Sequence, residues 1–207
     1  MFDLASRRLY LCTGLRQDLV DFVRSVVLGG VDIVQLREKN AAREDVLLAA
    51  RELRELCRDL NVPFIVNDDP ELAAHVAADG VHVGQDDLSV LHCRAVLGPD
   101  AIVGLSTHSE EDLAGALDQQ VSYLSAGPIE PTPTKPGRPG TGISYARLAS
   151  ERSPWPVFVT GGVTPAHVGP LVAAGVRHFV VVRFLTESRS PQSAARELRS
   201  AIDVAVA

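Results

Sequence analysis

Short apolar runs alternate along the chain with longer segments in which apolar residues recur every three or four positions. The longer segments have the pattern of amphipathic helices. The short runs carry continuous apolar centres, which is typical of parallel strands covered by helices. The predicted strands span residues 8–13, 32–37, 63–68, 80–85, 101–107, 122–127, 156–162 and 178–183. The predicted helices span residues 17–28, 41–60, 70–78, 88–97, 109–119, 143–150, 164–174 and 191–206.

Eight strand–helix units within 207 residues predict an α/β protein, a single (β/α)8 TIM barrel that covers residues 1–207. A doubly wound open sheet is the alternative. Such sheets usually have fewer strands, and no GxGxxG sequence follows the first predicted strand. No linker or change of composition divides the chain, so we expect one domain.

The composition is that of an ordinary globular protein, with 46% hydrophobic and 22% charged residues. A formal net charge of −6 argues against a broad nucleic-acid surface but leaves room for a local anion pocket. Cys12, Cys57 and Cys93 are widely spaced and never form CxxC, so we expect neither a disulfide framework nor a zinc site. We expect a cytoplasmic protein without a membrane partner, because no apolar run resembles a signal peptide or a membrane span. Whether it forms a homo-oligomer is left open.

Polar or glycine-rich residues follow seven of the eight predicted strands, where a TIM barrel has its active site. After the second strand Gln35, Arg37 and Lys39 alternate with Leu36 and Glu38. Turned inward, the first three would form a wall of donors suited to a polyanion such as diphosphate. The alternative is a solvated charge cluster.

Asp68 and Asp87 follow two neighbouring strands. Two carboxylates together with phosphate and water make an ordinary Mg²⁺ site, and facing carboxylates would repel a diphosphate unless a cation lay between them. The alternative is that aspartates here cap the following helices, a role that Asp69 and Asp86 fit better.

Two further stretches suggest phosphate binding. Gly161 and Gly162 precede a predicted helix, and barrel phosphate sites often use the loops after strands seven and eight, the second of which contains Val182 and Arg183. The polar stretch PTPTKPGRPGTG, residues 131–142, follows the sixth strand and contains Lys135, which with Lys39 makes up the lysines of the chain. Its hydroxyl and ammonium donors favour a ligand-binding loop over a linker.

At these residues the chain resembles the thiamine phosphate synthase family. The resemblance runs through nearly the whole length in order: QLREK (35–39), ND (67–68), HVGQDD (82–87), GLST (104–107), GP and PTPTK within 127–135, GG (161–162) and VVR (181–183). It implies coupling of an aminopyrimidine methyl diphosphate to a thiazole phosphate, simple or carboxylated. The products implied are thiamine monophosphate and pyrophosphate.

The resemblance also implies roles for individual residues. Those that would bind the pyrimidine diphosphate are Gln35, Leu36, Arg37, Glu38, Lys39, Asn67, Ser106 and Lys135. Those that would bind the thiazole phosphate are Thr132, Pro133, Thr134, Gly162, Val182 and Arg183. Asp68 and Asp87 would hold Mg²⁺.

The implied mechanism is dissociative, so that pyrophosphate leaves before the thiazole nitrogen attacks. It needs no activated nucleophile. The implied catalytic residues are Arg37, Lys39, Ser106 and Lys135. The three cations would stabilise charge on the leaving group, and Ser106 would help to orient the pyrimidine. Arg183 departs from the family, many members of which have serine there.

Three other functions compete with this one. A barrel that tautomerises a thiazole phosphate would need no diphosphate pocket. A Schiff-base aldolase would use Lys39 or Lys135 as a nucleophile with a depressed pKa. A non-catalytic scaffold would not explain polar residues at seven strand ends.

Overall fold

The computed structural model describes residues 2–133, 137 and 139–207. Eight parallel strands close into a barrel in chain order, with the first paired to the last. The strands are β1 (Leu9–Thr13), β2 (Ile33–Leu36), β3 (Phe64–Asn67), β4 (Gly80–Val83), β5 (Ile102–Thr107), β6 (Tyr123–Ala126), β7 (Val157–Val159) and β8 (His178–Val181). The predicted (β/α)8 TIM barrel is confirmed.

Helices cover the outside of the barrel. They are α1 (Leu19–Leu28), α2 (Arg43–Asp59), α3 (Pro70–His75), α4 (Val90–Leu97), α5 (Glu110–Leu117), α6 (Gly142–Arg152), α7 (Pro165–Ala173), α8 (Arg183–Thr186) and α9 (Pro191–Val206). The short α8 begins where the last strand was expected to continue, so the sequence pattern missed it. No helix among the described residues is long and apolar enough to cross a membrane.

The interior of the barrel is filled by one apolar layer, because alternate residues of a strand point to opposite faces. Its members are Tyr10, Ile33, Ile65, Ile102, Tyr123 and Phe158, with Leu4 below them. The intervening residues, such as Leu9 and Leu11 of β1, pack outward against the helices. The side chain two residues further along each strand therefore also points into the barrel. It lies near the end of the strand where the loop to the next helix begins.

Helix capping only partly follows the sequence expectations. The side chain of Asp69 accepts a hydrogen bond from the Leu72 N–H at 2.7 Å and so caps α3, as predicted. The prediction that Asp86 caps the next helix is wrong, because α4 begins at Val90 and Ser89 caps it. Ser109 caps α5 as expected, accepting from the Asp112 N–H at 3.1 Å.

Gly104 on β5 makes room for the buried rings of His82 and Tyr123. A Cβ at this position would lie 2.1 Å from the Tyr123 ring and 2.5 Å from His82 Nδ1. Both rings are fully or almost fully buried and stack at 5.5 Å between centroids. The absence of a side chain on β5 therefore allows the rings from β4 and β6 to meet.

We expect Gly104→Ala to lower the free energy of unfolding by about 1–3 kcal/mol, because the added methyl group overpacks a closed interior. Chemical denaturation monitored by circular dichroism would measure this. Gly115→Ala on α5 is the matched control, since nothing lies within 4 Å of a Cβ there. It should leave stability unchanged or raise it by up to about 1 kcal/mol. Equal effects at the two positions would contradict the packing argument.

Candidate active site

A cavity of about 380 Å³ lies at the ends of the strands, directly above the apolar layer. The residues two positions beyond members of this layer line it: Cys12, Gln35, Asn67, Ser125 and Thr160, while Ser106 lies four positions beyond Ile102. His82 and Val182 line it as well. Arg37, Lys39, Asp68 and Asp87 complete its loop side. The structure therefore brings seven residues predicted for the diphosphate and metal sites, Gln35 among them, into contact with one space.

A hydrogen-bonded chain crosses the floor of the cavity. The thiol of Cys12 donates to Gln35 Oε1 at 3.1 Å, and Gln35 Nε2 donates to the Tyr10 hydroxyl at 2.8 Å. The hydroxyls of Tyr10 and Tyr123 lie 2.8 Å apart, and that of Tyr123 lies 2.9 Å from His82 Nδ1. The chain ends where His82 Nε2 meets Ser106 Oγ at 2.9 Å. Gln35 therefore forms part of the cavity floor as well as part of the polar wall predicted from the sequence.

Three charged side chains meet at the ends of β3 and β4. Lys39 Nζ lies 3.0 Å from Asp68 Oδ2, and Asp87 Oδ2 accepts from the Gly84 N–H at 2.7 Å. Asp68 and Asp87 lie close enough for each to shift the pKa of the other.

The pKa values of Asp68 and Asp87 are shifted in opposite directions. Burial raises the pKa of Asp68, and Asp87 adds to the rise while Lys39 opposes it. Burial also acts to raise the pKa of Asp87, but hydrogen bonds from the Gly84 N–H and from Asp68 outweigh it, and the net pKa is lowered. Asp68 therefore binds a proton more readily than Asp87 does, and the ammonium of Lys39 lies against it.

This donor set fits Mg²⁺. Among residues 2–133, 137 and 139–207 no group of three or more His, Cys, Asp or Glu side chains could hold a metal ion. Mg²⁺ is usually bound through one or two carboxylates together with substrate phosphates and water. Two neighbouring acidic side chains, one of them paired with a lysine ammonium, mark a place where positive charge is favoured.

Asp68 adopts an unusual backbone conformation. Its φ is +64°, in the left-handed region that residues other than glycine seldom enter, although aspartate tolerates it better than most. The Asp68 N–H donates to the His82 carbonyl oxygen at 2.8 Å, which ties this turn to β4. Such strain is commonly found where a functional side chain must be aimed.

Leu36 and Glu38, both predicted to contact the pyrimidine diphosphate, do not line this cavity. Leu36 packs outward in the core between barrel and helices. The Glu38 carboxylate accepts hydrogen bonds from the N–H groups of Leu15, Lys39 and Asn40, and these lower its pKa, the Asn40 N–H most of all. Glu38 therefore holds the loop after β2 in the shape that presents Arg37 and Lys39.

A second cavity of about 360 Å³ adjoins the first and shares Thr160, Val180 and Val182 with it. Its lining includes the predicted phosphate residues Thr132, Gly162, Val182 and Arg183. Gly161 and Gly162 have φ values of +93° and +78°, and β7 ends before them at Val159 rather than continuing to 162 as predicted. Pro133 is exposed and does not line this cavity, and Thr134 and Lys135 lie outside the described residues.

An acidic side chain lies at the double glycine of the second cavity. A Cβ on Gly162 would lie 2.5 Å from Glu130 Oε2, and the other carboxylate oxygen lies 3.2 Å from His167 Nε2. The Thr164 hydroxyl lies 2.8 Å from His167 Nδ1 and makes no capping bond to α7, although Thr164 occupies the cap position as predicted. Arg183 is the one arginine or lysine among the described residues that line this cavity.

Several lining residues were missed by sequence reasoning. Tyr10 and Tyr123 lie inside apolar runs, so the sequence identifies them as core residues. Their rings do belong to the core. Gln85 donates to the Ser106 carbonyl oxygen at 2.7 Å, and His108 contacts the Gly127 carbonyl oxygen through Nδ1. Counting inward in steps of two from the apolar layer would have identified Cys12, Ser125 and Thr160.

Comparison with known proteins identifies the family. The family profile described as thiamine monophosphate synthase matches residues 9–185, which spans all eight strands. The chain belongs to this family. It is 42% identical over 210 residues to the thiamine-phosphate synthase of Thermobifida fusca, covering 99% of this chain and 96% of that one. It is 39% identical to that of Mycobacterium bovis over 218 residues, covering 98% and 97%.

A solved structure agrees with these sequence relatives. The thiamine phosphate pyrophosphorylase from Pyrococcus furiosus superposes with a TM-score of 0.88 at 27% identity, and 97% of each chain is covered. The sequence-based resemblance to thiamine phosphate synthases is thereby confirmed, and with it a transferase of the thiamine biosynthetic family.

The strain at Asp68 leads to a prediction. We expect the free energy of unfolding of Asp68→Gly to exceed that of Asp68→Ala by about 1 kcal/mol. A positive φ is sterically unfavourable for alanine but not for glycine. Both variants remove the carboxylate, so their difference in free energy of unfolding isolates the backbone. Exposed Glu55 within α2 is the matched control, where glycine should instead be about 1 kcal/mol less stable than alanine. The same sign at both positions would contradict the account.

Proposed function

We propose that this protein is a thiamine-phosphate synthase that couples 4-amino-2-methyl-5-(diphosphooxymethyl)pyrimidine to a thiazole phosphate. The products are thiamine monophosphate and pyrophosphate. The observation that carries the proposal is the pair of adjoining cavities with a common wall at Thr160, Val180 and Val182. One cavity has charges suited to a diphosphate and the other has a glycine turn suited to a phosphate, so two bound substrates would meet between them.

The diphosphate would bind on the loop side of the larger cavity. Arg37 and Lys39 provide a guanidinium and an ammonium there, and Asn67 adds a neutral amide. Asp68 and Asp87 would hold Mg²⁺, which when bound supplies positive charge to the leaving diphosphate. On binding the substrate, Lys39 would exchange its partner at Asp68 for phosphate oxygens.

The chemistry that these groups support is dissociative, with the bond to pyrophosphate breaking before the thiazole nitrogen attacks. Arg37 and Lys39, together with Lys135, would stabilise the negative charge that develops on the departing oxygens. Ser106 contacts His82 at the cavity floor, where it would orient the pyrimidine ring. Electrostatic stabilisation of this kind needs no protein nucleophile.

The alternatives fit the geometry less well. A Schiff-base lysine is usually held in an apolar pocket, whereas the half-exposed Lys39 Nζ pairs with Asp68 Oδ2 at 3.0 Å. A tautomerase acting on thiazole phosphate alone would leave the cluster of Arg37, Lys39, Asp68 and Asp87 without a ligand.

The test is a coupled assay. Purified protein is incubated with the pyrimidine methyl diphosphate, thiazole phosphate and Mg²⁺, and thiamine monophosphate and pyrophosphate are followed by mass spectrometry. We expect product that disappears with EDTA and falls at least about a hundredfold in Asp87→Asn and Lys135→Ala. The exposed Asp59 at the end of α2 gives the control variant Asp59→Asn, which should retain full activity. A folded protein that binds thiazole phosphate but gives no product would favour the tautomerase.

A substitution at Arg183 tests the thiazole phosphate site independently of the pyrimidine diphosphate site. Because it is an exposed cation at the rim of the second cavity, we expect Arg183→Ser to raise KM for thiazole phosphate about fivefold. KM for the pyrimidine diphosphate should stay within twofold, roughly the error of such comparisons. Steady-state kinetics with each substrate varied in turn would measure this. An effect confined to the pyrimidine diphosphate would remove Arg183 from the thiazole site.

A further inference from the structure

The hydrogen-bonded chain beneath the cavity has a direction. Gln35 Nε2 donates to the Tyr10 oxygen, and the Tyr123 oxygen is the acceptor within reach of the Tyr10 hydroxyl among the described residues. Tyr123 then has its own hydrogen left for His82 Nδ1. An imidazole nitrogen that accepts a hydrogen bond carries no hydrogen, so in the neutral ring Nε2 is protonated and donates to Ser106 Oγ.

The start of the chain sets this direction. Cys12 donates its thiol hydrogen to Gln35 Oε1 at 3.1 Å, and an amide oxygen is a much better acceptor than sulfur. This turns the Gln35 Nε2 toward Tyr10. If the amide were reversed, each later bond would reverse as well: Tyr10 would donate to Gln35, and Ser106 would donate to His82.

Both phenols can keep their hydrogens in this chain. Burial raises the pKa of Tyr10 and of Tyr123, and each ring is fully enclosed in the barrel. The two rings pack edge-on at 5.8 Å between centroids, and each also meets Phe158 edge-on. The donors are thus fixed in position by packing that does not depend on their hydroxyl groups.

We infer that this chain makes Ser106 a hydrogen-bond donor toward the cavity and prevents His82 from acting as its base. Because Ser106 Oγ accepts from His82, its own hydrogen is left to point at the substrate, which must offer an acceptor there. A serine and a histidine 2.9 Å apart would otherwise suit nucleophilic catalysis, for which Nε2 must be unprotonated. Tyr123 and His82 are positioning residues, and the inference rests on the proposed role of Ser106 at the pyrimidine diphosphate.

The first test needs no turnover. Protein labelled with ¹⁵N in its histidines is studied by two-bond ¹H–¹⁵N correlation at pH 8, and the His82 signals are assigned from a His82→Asn variant. We expect Nε2 to be protonated and Nδ1 unprotonated. Protonation at Nδ1, alone or with Nε2, would overturn the inference. Because the measurement is made without ligand, its outcome is separate from the success or failure of the proposed function.

Matched phenylalanine variants test the direction. Tyr123→Phe removes the donor to Nδ1 and should abolish the single tautomer of His82, while both rings stay packed. Tyr10→Phe leaves Tyr123 able to donate and should leave the tautomer unchanged. The opposite result, with Tyr10→Phe shifting the tautomer and Tyr123→Phe leaving it, would overturn the assigned direction. If Tyr123→Phe fails to fold, the wild-type spectrum still decides.

A double-mutant cycle tests whether Tyr123 acts through Ser106. We expect Tyr123→Phe to lower kcat/KM for the pyrimidine diphosphate about tenfold, the value of roughly one hydrogen bond. In a Ser106→Ala background the same change should have almost no further effect, because the group that it positions is gone. Equal losses in the two backgrounds would show that Tyr123 acts independently of Ser106.

Discussion

Along each strand of the barrel every second side chain points inward, so a step of two residues separates the packed interior from the cavity above it. On β2 this step leads from Ile33 to Gln35, and on β6 it leads from Tyr123 to Ser125. Most residues at the intervening positions are apolar and pack against the helices, as Val34 and Leu36 do on β2. The same strand geometry therefore closes the core and places polar groups around one space.

The aromatic residues join these two layers. Tyr10 and Tyr123 belong to the apolar packing through their rings and to the polar floor through their hydroxyls. Gly104 provides the room that this double role requires. A hydrogen-bond network enclosed in this way is held by packing on every side, which is why its direction can determine what Ser106 offers to a ligand.

At the loop side of the larger cavity, the charges of the side chains determine which ligands can bind. Asp68 adopts a positive φ beside Asp87, burial raises its pKa, and Lys39 pairs with it. In the proposed function a divalent cation would bind at the two carboxylates, and a diphosphate would take Lys39 as its partner. Binding of metal and of diphosphate would then favour each other, because each removes the charge that would repel the other.

Sequence reasoning reached the fold because hydrophobic periodicity is a local signal repeated eight times. It placed Arg37, Asp68, Asp87 and Ser106 at strand ends, where they line one cavity, because charged or hydroxyl residues at the end of a buried strand are also a local signal. It assigned Leu36 and Glu38 to the diphosphate site along with the residues between them and beside them. Strand alternation alone predicts that Leu36 points outward. The partnership of Tyr10 with Tyr123 joins residues 113 positions apart and depends on barrel closure, so no local pattern could reveal it.

The central claim, that the acidic pair and its lysine form a metal-dependent diphosphate site, is tested most directly by calorimetric titration with pyrophosphate. We expect binding at one site in the presence of Mg²⁺, and weakening by about tenfold or more on omission of Mg²⁺ or in Asp87→Asn. Binding that is equally tight with EDTA and in Asp87→Asn would show that the carboxylates hold no metal for the diphosphate, and would contradict the account.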